Sequence, residues 1–381
     1  MTAAPDPRTS LSMQHTDPHP ISEVTRALPE IASTFKIAHH RETLADYLSG
    51  SPVYPPSLEL DLTGACTRRC RLCPSTGSLA SYALDLDFVD RLLGLLEGHT
   101  HGLLLSGGEP TMATTFGQTV RLARERGFSD VGVVTNGSLL ERPSVMEALL
   151  RHVSTVRVSL YDWTAASSEG ARSALQSVER LRRQIERERS ALQIGVSALT
   201  TEQNATGLER LAAEAEAAGA HWIYFHPTCV NWDVGAPSRV SQNGVMDAIE
   251  ALRPGYKDGF RALTYADRYV DRSVEFRGYH AAHFLLVIGA NGVNYLGAEV
   301  KYQQRYAISD PGARWRPAFL WEEGRLSRIQ ATESAGYPPI GSRHRGVLYS
   351  GLVQGLIDGR TRFDELAWAA EPNAFLYPHL L

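Results

Sequence analysis

Three of the chain's four cysteines stand within eight consecutive positions, Cys66, Cys70 and Cys73, in the stretch "CTRRCRLCP". Soft thiolates at this density suit iron–sulfur or zinc chemistry. A cubane [4Fe–4S] cluster usually takes four thiolates, so three would leave one iron for a ligand that is not protein. A structural zinc site closes with four ligands, and a catalytic one usually includes histidine. The loop has no histidine of its own, although a distant one could complete such a site. The spacing alone leaves cluster and zinc both open.

A second stretch, "SGGEP", places Gly107, Gly108, Glu109 and Pro110 together. Paired glycines let a backbone approach a ligand closely, and Glu109 can accept hydrogen bonds from an ammonium group. The same glycines also serve an ordinary strand-to-helix turn. Further along, "FHPTCVNW" surrounds Cys229 with Tyr224, His226, Asn231 and Trp232. Polar and aromatic groups in one place suit a polyhydroxylated substrate, which rings can stack on and polar tips can hydrogen-bond. Trp232 can equally serve packing, and a lone cysteine is often a small buried hydrophobe. His280 and His283, three apart, would share one face of a helix. They could touch a phosphate or a metal, or be satisfied surface histidines.

The elements that must hold these residues follow from periodicity. Alternating apolar and polar residues in "SLELDLTG" (57 to 64) predict a strand that ends just before the cysteines. Strands are then expected at 102 to 110, 131 to 137, 156 to 162, 193 to 199 and 221 to 227, with helices between them. Six strands alternating with helices imply a parallel sheet with right-handed crossovers, curved into a partial (β/α)6 TIM-like barrel. Ligands gather at the carboxyl ends of such strands, where every motif above falls. Residues 1–35 read as a mobile tail, 36–235 as the barrel, and 236–381 as a smaller α+β extension with a hairpin at 284 to 299.

Bulk properties narrow the class. With 43% hydrophobic and 21% charged residues and a formal charge of −4, the 381-residue chain has the balance of a globular protein. It carries no basic footprint for nucleic acid or an anionic membrane. No apolar run reaches the roughly 18 residues that would cross a bilayer, and the amino terminus does not read as a signal peptide. A cytoplasmic location is expected, where clustered cysteines suggest metal rather than disulfides. Lysine is scarce: only Lys36, Lys257 and Lys301.

Cys66, Cys70 and Cys73 after the first strand, with Gly107-Gly108-Glu109-Pro110 after the second, resemble the radical S-adenosylmethionine (radical SAM) superfamily over about residues 55 to 230. The resemblance implies that the thiolates hold one [4Fe–4S] cluster and that SAM chelates the fourth iron. It implies that an external donor such as flavodoxin or ferredoxin supplies an electron, and that a 5'-deoxyadenosyl radical abstracts a substrate hydrogen. By the same resemblance Glu109 and the Gly107-Gly108 backbone meet the SAM amino group. Thr135, Asn136 and Ser159 would lie near its ribose or carboxylate. Cys229 would stand where some epimerases keep a hydrogen-atom donor.

Residues 287 to 310 resemble the hairpin of the SPASM or twitch extension found in this superfamily, but no cysteine follows Cys229 to bind an auxiliary cluster. Without one, a redox-neutral outcome is expected: epimerisation, rearrangement or elimination. The expected substrate is a small polar metabolite, such as a sugar, aminocyclitol or nucleoside, in natural-product biosynthesis. A peptide-modifying enzyme, a non-catalytic cluster-binding protein and a zinc protein are the alternatives. If Cys229 is the hydrogen donor, Cys229→Ala will still cleave SAM but will lose or divert product, as chromatography of the reaction would reveal.

Overall fold

The computed structural model describes residues 34–70, 73, 81–161, 169–200, 204–227, 251–252, 259–264, 274–309, 317–337 and 344–381. Six parallel strands appear where the periodicity places them: β1 (Ser57–Thr63), β2 (Gly102–Gly107), β3 (Asp130–Thr135), β4 (Thr155–Leu160), β5 (Gln193–Thr200) and β6 (Trp222–Pro227). Helices α1 (Arg41–Leu48), α2 (Leu86–Leu96), α3 (Phe116–Glu125), α4 (Pro143–His152), α5 (Glu169–Glu188) and α6 (Leu208–Ala217) precede or connect them.

Local chemistry accounts for these elements. Asp85 caps α2 by accepting a hydrogen bond from Phe88 N at 2.7 Å, and Val89, Leu92, Leu93 and Leu96 bury one face of that helix. Pro143 opens α4 at a position where its missing N–H costs nothing. Along β1, Leu58, Leu60 and Leu62 join the helix-side core, while Glu59 and Asp61 take the opposite face. Both faces of this strand are buried, as helix-covered parallel sheets require.

The chain beyond residue 236 continues the same sheet. Strand β7 (Arg261–Thr264) pairs parallel with β6, and β8 (Leu285–Ile288) pairs parallel with β1. Strand β9 (Asn294–Tyr295) returns antiparallel to β8 after a turn through Gly292. Among the described residues the sheet therefore has nine strands, in the order β7-β6-β5-β4-β3-β2-β1-β8-β9. The expected hairpin exists, but its first strand lies against β1, more than two hundred residues earlier, and local periodicity cannot encode that pairing. Helices α7 (Glu323–Gln330) and α8 (Arg345–Ile357) follow. None of the described helices is long and apolar enough to cross a membrane.

The segment 377–381 closes the floor beneath β1 to β4. His379 N donates to Asp130 Oδ2 at 3.0 Å, Leu381 N to Ser57 Oγ at 3.3 Å, and Tyr377 OH to Ser154 O at 3.4 Å. Lys36 reaches the same floor, donating to Leu380 O at 2.8 Å, and its burial pushes the ammonium down to about 7. Gly102 explains the close fit, because a Cβ there would land on the backbone carbonyl of His379. Gly102→Ala should therefore displace the floor and lower unfolding stability by about 1–3 kcal/mol, measurable by urea titration.

Candidate active site

The cysteine loop leaves β1 at its carboxyl end, and the second motif holds that loop in place. Gly108 N donates to Thr63 O and Glu109 N to Ala65 O, each at 2.8 Å. A Cβ on Gly108 would overlap the carbonyls of Gly64 and Ala65, so the close backbone approach this glycine permits is to the cysteine loop itself. Gly107, at φ 114°, has the left-handed backbone that glycine adopts freely.

Glu109 is fully buried, and its carboxylate is occupied from within the protein. Oε1 accepts from Thr111 Oγ1 at 2.6 Å, Thr111 N at 3.2 Å and Thr135 Oγ1 at 2.7 Å, and Oε2 accepts from Asn136 N at 2.7 Å. The carboxylate thus clamps the ends of β2 and β3 together. Pro110 begins the short 3-10 turn Pro110–Met112 beside it, and Thr135 is buried against it. Asn136 turns outward and donates its amide to Cys66 Sγ at 3.5 Å and Thr67 Oγ1 at 3.0 Å.

Cys66 is exposed, and Cys70 and Cys73 are half-buried. Cys73 N donates to Cys70 O at 3.2 Å, which folds the loop back on itself. Among the described residues no three His, Cys, Asp or Glu side chains converge as a ready ligand set. The donors nevertheless fit an iron–sulfur cluster in type: three thiols on one short loop, with Cys66 Sγ receiving N–H groups from Arg68 N and Asn136. Such N–H donors to sulfur stabilise thiolate and tune a bound cluster.

Inside the sheet, alternate residues of the strands line a polar lumen. Ser159 on β4 is level with Ser197 on β5, which in turn is level with Tyr224 on β6. His226 pairs through Nε2 with Ser197 Oγ at 2.9 Å and stacks on Tyr224 with ring centroids 5.3 Å apart. Cys229, Asn231 and Trp232 lie outside the described residues. His280 is buried, bonded to Tyr47 OH at 2.7 Å and Gln354 Oε1 at 3.1 Å, and burial pushes its basicity down. It serves packing, and neither it nor His283 lies at the surface as an exposed pair.

A set of residues not singled out from sequence dominates the lumen. Lys301 Nζ donates to Glu59 Oε1 at 2.9 Å and Asp61 Oδ1 at 2.8 Å. Tyr302 OH donates to Asp61 Oδ2 at 2.6 Å, and Arg345 Nη2 donates to Glu59 Oε2 at 2.6 Å. Ser106 Oγ adds a bond to Asp61 Oδ1 at 2.7 Å. Two signals could have found this network: acids alternating with leucines in β1, and the rarity of lysine, since Lys36 and Lys301 are both buried.

Sheet, thiol loop and polar lumen define an α/β enzyme core with its site at the strand carboxyl ends. Residues 60–165, which contain both motifs, match the Radical SAM superfamily model. A probable GTP 3',8-cyclase of Methanothermobacter thermautotrophicus is 34% identical over 94 residues, covering 24% of this chain and 30% of that protein. An S-adenosylmethionine-dependent nucleotide dehydratase of a Thermoplasmatales archaeon is 33% identical over 84 residues, or 22% of this chain and 30% of its own length. The chain thus matches under a third of these curated relatives. In fold, Streptococcus suis SuiB bound to S-adenosylmethionine superposes with a TM-score of 0.61 at 13% identity, covering 76% of this chain and 71% of SuiB.

Titration gives the lumen network a measurable signature. Burial alone would raise the Glu59 carboxyl, but Lys301 and Arg345 outweigh burial and hold it down at about 2. Its contribution is full above its ordinary 4.5 and is lost as pH falls toward 2. Wild-type unfolding stability should therefore drop by roughly 3 kcal/mol across that window. Glu59→Gln should flatten the drop, as urea titrations at stepped pH would read.

Proposed function

We propose that the chain is a radical SAM enzyme that holds one [4Fe–4S] cluster on Cys66, Cys70 and Cys73 and acts on a small polar metabolite in the lumen. The observation that carries this reading is the set of polar side chains on the inner face of the sheet below the thiol loop, with residues 377–381 lying across the beginnings of β1 to β4. A chamber closed beneath β1 to β4 suits a compact substrate better than an extended peptide. The two curated relatives are named for reactions on nucleotides, which favours a nucleoside or nucleotide within that class.

When bound, cluster and SAM supply a one-electron cleavage whose product radical removes a hydrogen atom from the substrate. The chain's own residues do the positioning. Glu109 ties the cysteine loop to β3 through Thr135 and Asn136, and the Asn136 amide and Arg68 N–H support Cys66. Gly107, Gly108 and Asn136 border the place that SAM would take, and Ser159 lies on the lumen face below it. Tyr224 and His226 offer the substrate a stacking face with a hydrogen-bonding edge. Cys229 is assigned the return of the hydrogen atom, in keeping with a redox-neutral epimerisation, rearrangement or elimination. The region after 236 is read as a cysteine-free relative of the SPASM extension. A soluble flavodoxin or ferredoxin in the cytoplasm would supply the electron.

Anaerobic reconstitution tests this reading. The chain should hold about four irons and, with SAM and a strong reductant, form 5'-deoxyadenosine. Iron near eight would require a second cluster and remove the redox-neutral argument. Iron-loaded protein that forms no 5'-deoxyadenosine with any candidate substrate would overturn the enzymatic reading.

A further inference from the structure

Among the described residues, the inner face of the sheet carries guanidinium groups that no carboxylate matches, Arg157 on β4 and Arg261 on β7, and Arg157 is the one nearer the β1 acids. Lys301 and Arg345 are matched by Glu59 and Asp61, to which they donate. Arg157, in the middle of β4, has no such match among the described residues: its Nε is buried with no hydrogen-bond partner, and no described carboxylate forms an ion pair with it. It points inward, because Val156 and Val158 on either side are fully buried in the helix-side core. Its rung follows from the register. Arg157 is beside Val134, which follows the last β2–β3 pair, Leu105 with Val133, and Ser106, next after Leu105, is beside Asp61. Tyr161, Tyr224, Arg345 and Glu59 lie within electrostatic reach.

Two other arginines spend the whole guanidinium on partners within the protein. Buried Arg325 donates Nε to Asn294 Oδ1, Nη1 to Leu320 O and Nη2 to Ala282 O, at 3.1, 2.8 and 2.7 Å. Arg124 likewise spends its guanidinium on His152 O, Phe128 O, Ser129 O and Ser154 Oγ. A deep guanidinium left with an unbonded nitrogen costs stability unless something occupies the space before it. Arg157 is half-buried, on the inner face of β4.

We propose that Arg157 receives an anionic group of the substrate, a phosphate or a carboxylate, with the hydroxyls of Ser159 and Tyr224 above it. This rests on the lumen being the substrate chamber. It narrows the substrate to an anion and sets its orientation, charged end down and reacting end toward the thiol loop. From Arg157 to the end of β4 at Leu160 the strand climbs about 10 Å. The reacting carbon therefore stands about that far from the anionic group, a span that fits a phosphorylated sugar or nucleotide better than a short acid.

Calorimetry on the full-length chain, cluster-free and reconstituted, tests this with four probes: inorganic phosphate, a nucleoside 5'-monophosphate, the same nucleoside without phosphate, and a hexuronate. Wild type should bind at least one anion and discriminate against the neutral nucleoside; the phosphate and carboxylate arms tell which anion is preferred. Arg157→Gln should weaken that binding tenfold or more, with iron content unchanged and the unfolding midpoint equal or higher, because an unmatched buried charge is gone. Arg157→Lys should recover part of the affinity. The proposal fails if wild type binds no anion, if Arg157→Gln binds as wild type does, or if that variant loses affinity for SAM alone. Anion binding in a protein that never forms 5'-deoxyadenosine would leave this site standing while the radical reading falls. The reverse result would remove the site and keep the enzyme.

Discussion

Two carboxylates on β1 and the cations that meet them tie the molecule together. Glu59 and Asp61 face inward from a strand buried on both sides, where an unmatched carboxylate would be costly. Their partners come from far along the chain: Lys301 and Tyr302 after the hairpin, and Arg345 at the start of α8. The acids of β1 are thus matched only when the distant half of the chain is folded onto them. Tyr302 holds a left-handed backbone, φ 67°, rare for a residue with a side chain, and its hydroxyl lies on Asp61. The network sustains a local conformation that the backbone alone disfavours.

The two motifs prove to be one structural unit. Thr63 O and Ala65 O, flanking the root of the cysteine loop, accept from the amides of Gly108 and Glu109. Glu109 in turn gathers Thr111, Thr135 and the Asn136 amide, and Asn136 returns to Cys66. The residues expected to touch the cofactor are therefore largely engaged in holding the thiol loop and the third strand in register. Positioning of this kind is what a metal-binding loop needs from its surroundings, since ligand orientation depends on groups behind the ligands.

Much of this was legible in the residues. The six core strands and their helices stand where alternation and apolar spacing put them, because each crossover unit is local and each strand is bounded by turn residues. The thiol loop and "SGGEP" stood out by residue type and by their places after consecutive strands, and their joint resemblance to a known superfamily supplied the expected roles. The pairing of β8 with β1 was not, since nothing in "LLVI" specifies a partner so distant in sequence. Nor was the lumen network, whose members are separated by as many as 286 positions. The acids in β1 read simply as the polar half of an alternating strand, and only the fold shows that this half faces a closed interior. Glu109 illustrates a different limit: a carboxylate at a strand end looks unengaged, and its four backbone and hydroxyl donors are brought to it by the fold in a way that composition does not reveal.

The floor made by Tyr377 to Leu381 has a kinetic consequence. With the strand beginnings of β1 to β4 covered by His379, Leu380 and Leu381, a molecule on the inner face of those strands would find no exit beneath them. Entry and exit there would be confined to the levels above this seal, so the same opening would carry arrivals and departures.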